Sequence, residues 1–308
     1  MSGLHGHLDL LACVDTEGRT ILRRQSFSAP FHISKPHHDA GWLVVNLASP
    51  TPGLLAGDRV DVHVAVQPGA RLLLTAPSAS RIHTMRDGHA ELRQEFHVAA
   101  DGILDTWPEY LIPQAGSRYR QRSVLNVEPG GTLLWTESLA PGRTAAGEVF
   151  TFEELCIATD LHVGASHIAR ERYLLTRGSA AQRALLRHFP TPYYASLLCV
   201  SPNLSNADAA ILQLGALHDE ERAWIGVSRL AADVWAIKVV AAGSPELRQA
   251  IVAVRARLYA VLEMEPPSLR RVTGECPAQL CPEPCAKQNA DAGENASATS
   301  PAPTTGAA

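Results

Sequence analysis

The stretch PGLLAGDRVDVHVAVQPGARLLLT, residues 52–75, decides the fold class. Apolar and polar residues alternate over residues 59–66 and again over residues 71–75. This period of two predicts two half-buried β-strands. Between them, the turn Gln67-Pro68-Gly69-Ala70 predicts a tight connection, because Pro and Gly favour the backbone angles of turns.

The same stretch contains an acid and a base just before the first strand. Gly57 precedes Asp58 and Arg59, and a backbone bend there would aim both side chains at a common target. The alternative is a turn at the strand entry, in which the Asp58 carboxylate accepts a local backbone N–H. The sequence alone is consistent with both interpretations.

The turn pattern recurs along the chain. VQPGARLLLT at 66–75 resembles VEPGGTLLWT at 127–136, residues 98–106 form a weaker copy, and residues 162–168 form the weakest copy. A spacing of about 30 residues suits units that are each a strand pair and bury their apolar faces by stacking. The sequence therefore predicts an all-β fold of stacked sheets with a β-solenoid-like body, and an ordinary β-sandwich is the alternative.

Outside the repeat, further strands and a few helices are predicted. Strands are expected within 8–26, 41–47, 223–230 and 233–241, with a loop at 35–39. Helices are expected at 179–189, at 206–217 and near 245–264. The last helix is expected to start at a Ser244 cap and to leave Arg248, Gln249, Arg255 and Arg257 largely off its buried stripe. We predict a β domain over 1–272, including that helix, and a disordered tail over 273–308.

The composition excludes several classes of protein. The 308 residues are 46% hydrophobic and 19% charged, which is a globular composition. A formal net charge of −4 provides no basic field for a nucleic-acid backbone. No window is apolar for the length of a membrane helix, and the N-terminus has no secretory signal pattern. We therefore expect a cytoplasmic protein that binds neither nucleic acid nor membrane.

The sequence contains candidate metal ligands but no common catalytic motif. Three cysteines lie singly in apolar runs, as reduced core residues do, and Cys276, Cys281 and Cys285 crowd the tail without the paired spacing of a zinc site. His37 and His38 are neighbours in the predicted loop and are candidate metal ligands, because imidazole binds divalent nickel, copper and zinc. No nucleophile elbow, nucleotide-binding loop or zinc-protease motif is present.

Several segments together resemble the UreD (UreH) family of urease accessory proteins. The family signature is matched by PGLLAGD at 52–58, PGAR at 68–71, TAP at 75–77 and PGRTAAGEVF at 141–150, and residues 167–172 are similar to a later strand that ends in Glu-Arg. Ala56 stands where the family usually has Gly. The family's Trp-Leu-Pro-Gln-Glu segment is replaced by TWPEY at 106–110, so we assign no role to its acid.

The resemblance implies a non-enzymatic scaffold. Such a protein binds apo-urease, the helical adaptor UreF and the GTPase UreG, and it gives transient Ni²⁺ a polar internal route to the urease active site, with no permanently bound cofactor. The motif match suggests that acids line or shape this route and that two arginines orient them. The acids are Asp58, Glu137, Glu148 and Glu171, and the arginines are Arg59 and Arg143. For each acid, a structural ion pair or a turn cap is the alternative.

Two other functions are consistent with the residues alone. One is a β-solenoid hydrolase that acts on carbohydrates with two carboxylates in one cleft. The other is a free-standing metal-buffering protein that uses His37, His38 and the cysteines of the tail.

Overall fold

The computed structural model describes residues 3–268, and about half of them lie in strands. The strands are β1 (His5–Val14), β2 (Thr20–Phe27), β3 (His32–Ile33), β4 (His37–Asp39), β5 (Trp42–Ala48), β6 (Arg59–Val66), β7 (Arg71–Ala76), β8 (Ser80–Ile82), β9 (Ala90–Val98), β10 (Ile103–Pro108), β11 (Leu111–Pro113), β12 (Arg118–Val127), β13 (Thr132–Leu139), β14 (Glu154–Val163), β15 (Ser166–Thr176), β16 (Tyr193–Val200), β17 (Ala223–Ala231) and β18 (Val234–Ala241). The α-helices are α1 (Ala180–Leu186), α2 (Asp208–Leu212) and α3 (Ser244–Val261).

The recurring turn carries the chain from one sheet to the other. The strands before the turns, β6, β9 and β12, pair in parallel in a seven-stranded sheet, which we call sheet 1. The strands after the turns, β7, β10 and β13, pair in parallel in an 11-stranded sheet, which we call sheet 2. Parallel stacking of successive units is the geometry of a β-solenoid, so the predicted fold class is confirmed.

The weakest copy of the turn has a different geometry. Residues 162–168 join β14 to β15, which pair antiparallel within sheet 1. The chain therefore folds back there and does not cross to sheet 2. As a result, β15 is the outermost strand at one side of sheet 1, and β2 is outermost at the other side.

The core lies between the two sheets. In β6, Val60, Val62, Val64 and Val66 are buried and alternate with more exposed residues, as predicted for a half-buried strand. The prediction of a half-buried strand is wrong for β7, in which residues 72–75 are all buried. The reason is that sheet 2 is covered on its outer face as well: α3 packs on β16 and β18, and its Arg255 and Tyr259 reach Asp105 on β10, the neighbour of β7.

A buried ion pair anchors α3 to the solenoid. Arg255 is only 5% exposed and donates to Asp105, which is 0% exposed and lies on β10. Tyr259 donates to the same carboxylate at 2.5 Å, and the Arg255 guanidinium lies 4.4 Å from the centroid of the Trp107 ring. The prediction that Arg255 lies off the buried stripe was wrong, because a partner 150 residues away compensates its charge.

Local predictions differ from the structure in a few places. The predicted loop at 35–39 contains β4, which pairs with β5. The cap of α3 is Gly243, one residue before the predicted cap, and α3 ends at Val261. Ser179 caps α1 as expected and forms a reciprocal pair of hydrogen bonds with Gln182. The segment 206–217 divides into α2 and a 3₁₀ turn at Gln213–Leu217.

Residues up to Ser268 group into one compact unit. Within the described residues, no helix has the length and apolar character needed to cross a bilayer. The predicted tail 273–308, with Cys276, Cys281 and Cys285, lies outside the residues that the structure describes, and so does the end of the predicted β domain.

Candidate functional site

A layer of polar side chains interrupts the apolar interior between the sheets. Sheet 1 contributes one row of neighbours in register, and sheet 2 contributes a second row that faces it. We call these residues the polar layer: Gln94, Ser123, Thr159 and Glu171 from sheet 1, and Glu137, Ser196 and Lys238 from sheet 2. Apolar clusters lie on both sides of the layer, with Trp135 and Leu161 in one cluster and Leu139 and Ile157 in the other.

The strand period places these side chains in the interior. In β13, Leu133, Trp135, Glu137 and Leu139 occupy alternate positions, and the three apolar members belong to the interior clusters. Glu137 must therefore face the interior too, because side chains alternate between the faces of a strand. In β18 the same argument places Lys238 in line with Val234 and Ala236.

Glu137 is the central acid of the polar layer. Its carboxylate accepts hydrogen bonds from the Gln121 amide and, at 3.2 Å, from the Thr159 hydroxyl. Removal from bulk water raises the pKa of Glu137 to about 7, and the nearby charge of Glu171 acts in the same direction. Glu137 is therefore divided between its charged and neutral forms near neutral pH.

Glu171 lies at one end of the layer, on β15, the outermost strand of sheet 1. Its carboxylate forms an ion pair with the Lys238 ammonium and accepts hydrogen bonds at 2.9 Å from both Ser196 and Tyr173. The hydroxyl of Tyr173 also lies 2.5 Å from that of Tyr194, and burial raises the pKa of both phenols. Both tyrosines are therefore neutral hydrogen-bonding groups beside the carboxylate.

A cavity of about 370 Å³ leads from the surface to this layer. Ser49, Pro52, Ser78 and Arg81 line its exposed end. The middle is apolar, and the inner end is polar. The inner end is lined by Gln94, Gln121, Glu137, Tyr173 and Tyr194.

Asp58 and Arg59 lie apart from the polar layer. The Asp58 carboxylate is buried and accepts the backbone N–H groups of Leu4 and Leu55, both at 2.8 Å. It thereby closes the turn at 55–58, which directly follows Leu54, a residue of the cavity wall. The Arg59 side chain is 64% exposed and lies 3.9 Å from Glu91.

Arg143 and Glu148 form a second ion pair, in the loop at 141–150. Glu148 also accepts the backbone N–H of Ala115 at 3.1 Å. The hydrogen bond from Arg143 holds the pKa of Glu148 below its ordinary value. Arg143 lines a neighbouring open cavity of about 530 Å³, and Arg81 lines both cavities.

The two candidate metal-ligating histidines lie on β4. Because successive side chains of a strand point to opposite faces, the imidazoles of His37 and His38 do not converge. The His38 ring lies 2.7 Å from the carbonyl oxygen of Thr20. Among residues 3–268, no three His, Cys, Asp or Glu side chains are grouped closely enough to hold a metal ion.

Sequence reasoning missed the partners of the two interior acids. Gln121, Tyr173, Tyr194, Ser196 and Lys238 were not singled out, although they surround Glu137 and Glu171. One signal was present for Lys238, because it is a single charged residue in the apolar strand VWAIKVVA. Pairing across 67 residues of sequence gives no local pattern, so its partner could not be inferred.

Comparison with known proteins identifies the family. Residues 4–274 match the family model described as UreD urease accessory protein. The chain belongs to the UreD family. The resemblance noted from the sequence is thereby confirmed, and membership in the UreD family gives the chain a role in urease maturation.

Curated relatives match the chain over most of its length. It is 38% identical to the urease accessory protein UreD of Opitutus terrae, over 82% of this chain and 93% of the relative. It is 28% identical to UreD of Mycolicibacterium gilvum, over 84% and 94% of the two chains. It is 24% identical to the urease accessory protein UreH of Helicobacter pylori, over 78% and 89%. These UreD and UreH proteins are named as accessory proteins, which favours a non-catalytic role.

Proposed function

We propose that this UreD family protein is a scaffold for nickel insertion into apo-urease, and that Ni²⁺ passes between its two sheets. The observation that carries the proposal is the cavity that opens at Arg81 and ends at the polar layer. At the inner end of this cavity a cation would meet Glu137, and it would reach Glu171 through the tyrosine pair. The route is therefore an interior path between two carboxylates, with the tyrosine hydroxyls between them.

The ligands along this path suit an ion that must move on. Carboxylate, hydroxyl and amide oxygens bind divalent cations less tightly than thiolates do, so a cation held by them exchanges readily. Glu137 has a pKa of about 7, so it can exchange a proton for the passing cation at neutral pH. We therefore treat Ni²⁺ as cargo, with no resident metal in the protein.

The other acids and arginines have supporting roles in this proposal. Asp58 fixes the turn beside the cavity wall, and the Arg143–Glu148 pair fixes the loop beside the neighbouring cavity. Arg59 and this loop are exposed enough to face a partner protein. The partners in the proposal are apo-urease, the helical adaptor UreF and the GTPase UreG.

Two observations favour this function over its rivals. The family favours an accessory role over a carbohydrate hydrolase. For a metal buffer, His37 and His38 would have to act together, and their strand positions direct them to opposite faces.

The test is urease maturation with altered interior acids. The chain would be co-produced with urease and its other accessory proteins in the presence of nickel, as wild type and as Glu137→Gln, Glu171→Gln and the double variant. Nickel per urease active site and urease activity would be measured on purified urease. We expect both to fall at least tenfold in the double variant, because the path loses both carboxylates.

The matched control is Glu95→Gln, which makes the same chemical change on the outer face of sheet 1, where the side chain is 54% exposed. This variant should load urease normally. Recovery of urease on each tagged variant separates loss of nickel transfer from loss of binding. Full nickel content with the double variant would contradict the proposed route.

A further inference from the structure

The ammonium group of Lys238 occupies the position of a cation among oxygen atoms. It forms an ion pair with Glu171, lies 2.6 Å from the Ser196 hydroxyl and lies 3.4 Å from the Tyr173 hydroxyl. These three oxygen groups come from strands of both sheets. Side chains thus enclose a positive charge at this end of the polar layer.

Lys238 is more exposed than its partner Glu171. Its side chain is 34% exposed, whereas that of Glu171 is 14% exposed. Lys238 lies on β18, next to the outermost strand β17 of sheet 2, and Glu171 lies on β15, the outermost strand of sheet 1. These strands place Lys238 where the interior meets solvent, so its flexible side chain has room to swing outward.

We propose that Lys238 is a resident competitor ion that closes the Glu171 end of the polar layer until a divalent cation displaces it. This inference rests on the proposed function and extends it, because it assigns the interior path a second end and a gate. With Lys238 in place, its ammonium balances the charge of the Glu171 carboxylate and occupies the position that a cation would take. With Lys238 turned out, the carboxylate and the hydroxyls of Ser196 and Tyr173 form an oxygen site for a divalent cation.

The competition explains how a path lined with acids avoids trapping its cargo. An uncompensated buried carboxylate is costly, so an empty site without Lys238 would bind any available cation. The ammonium makes each entering cation exchange with an internal one, and the same exchange helps to release the cation again. Lys238 thus determines how readily a cation enters and leaves the site at Glu171.

The test is nickel binding by the purified full-length chain. Lys238→Met removes the charge and keeps the length of the side chain. We expect at least a tenfold gain in Ni²⁺ affinity at one site by calorimetric titration, and we expect Lys238→Met with Glu171→Gln to lose that site. Lys35→Met, at an exposed lysine outside the interior, is the matched control and should bind as the wild type does.

Thermal unfolding provides a second readout, because Lys238→Met leaves Glu171 without its counter-ion. We expect the variant to melt below the wild type and to recover more of its Tm with added Ni²⁺ than the wild type gains. Lys238→Gln also removes the charge but can still hydrogen-bond to Glu171, so it should show the same gain and keeps the test decisive if Lys238→Met folds poorly. Lys238→Arg retains the charge and should retain the low affinity. Unchanged Ni²⁺ affinity together with an unchanged response of Tm to Ni²⁺ would overturn the proposal.

The outcomes separate this inference from the proposed function. If Glu171→Gln impairs urease loading while Lys238→Met leaves nickel binding unchanged, the route stands and the gate is wrong. If Lys238→Met gains a nickel site that depends on Glu171 while the interior acids are dispensable for urease, the competitor is real and the route is wrong.

Discussion

Glu137 is a carboxylic acid in a strand position whose neighbours in line are Leu133, Trp135 and Leu139. Hydrogen bonds from Gln121 and Thr159 satisfy its oxygens but do not replace bulk water. Its pKa is therefore raised from 4.5 to about 7. An acid with this pKa makes the stability of the protein depend on pH.

We expect Glu137→Gln to remove this dependence. Between about pH 4.5 and 7 the folded chain binds more protons than the unfolded chain. The stabilising contribution of Glu137 is therefore complete below about pH 4.5 and is lost as the pH rises through 7. The variant should be more stable than the wild type at pH 8, by on the order of 2 kcal/mol, and similar to it at pH 5. Urea unfolding at the two pH values measures this, with Glu95→Gln as control. Parallel pH profiles for wild type and Glu137→Gln would contradict it.

At the scale of elements, α3 and the crossing turns show two different ways of fixing a strand stack. The helix is held by the Asp105–Arg255 pair, which is buried on the outer face of sheet 2. The turns are held by backbone conformation, for example at Gly69, where φ is +75°. The attachment of the helix depends on a partner far away in the sequence, whereas each turn depends on the backbone of a single residue.

Breaking the buried pair at one side should loosen the helix. We expect Asp105→Ala to lower the free energy of unfolding by about 3–5 kcal/mol, because Arg255 is left charged and uncompensated in the interior. The double variant Asp105→Leu with Arg255→Met should be distinctly more stable than Asp105→Ala. Chemical unfolding of the single and double variants measures the coupling, and equal losses for both would show that the charge pairing is unimportant.

A methyl group at the crossing turn should have a smaller effect. We expect Gly69→Ala to cost about 1–2 kcal/mol, because the left-handed backbone disfavours a Cβ atom. This Cβ would also lie 3.3 Å from a methyl carbon of Val14. Gly226→Ala is the control, since its Cβ would meet no atom within 4 Å. A Tm of Gly69→Ala equal to that of the control would refute the conformational argument.

The same contrast explains what the sequence could predict. The turn signal at 67–70 and the alternation over 59–66 are local, so the strands and the solenoid class followed from them. That Glu137 faces the interior also follows from its place in an alternating strand. That Lys238 reaches Glu171, or Arg255 reaches Asp105, depends on which strands are stacked face to face, and no local pattern specifies this.

For the whole molecule, the proposed function resides in the compact unit that ends at Ser268. Its interior contains the polar layer, and its surface contains the Arg143–Glu148 loop. Both features are formed by residues within 3–268, whereas the cysteines of the tail lie outside the described part of the chain. The scaffold and the metal buffer therefore make opposite predictions for a shortened chain.

We expect deletion of residues 273–308 to leave urease nickel loading and the Tm unchanged, because the deletion removes none of the residues of the cavity or the polar layer. Co-production with urease, followed by metal analysis of the purified enzyme, measures the loading. A loss of loading in the shortened chain, with urease still bound, would favour a role for Cys276, Cys281 and Cys285 in metal capture.

The outermost strands of sheet 1 have a consequence for self-association. Both β2 and β15 pair with a strand on one side only, so the other side is a surface to which another copy could add a strand. Exposed arginines follow these strands, namely Arg23 and Arg24 on β2 and Arg170 and Arg172 on β15. Arg24 and Arg170 are paired with Asp9 and Asp160, whereas Arg23 and Arg172 are exposed. A second solenoid that approaches edge to edge would bring Arg23 or Arg172 against its like, so we expect growth into fibrils to be disfavoured.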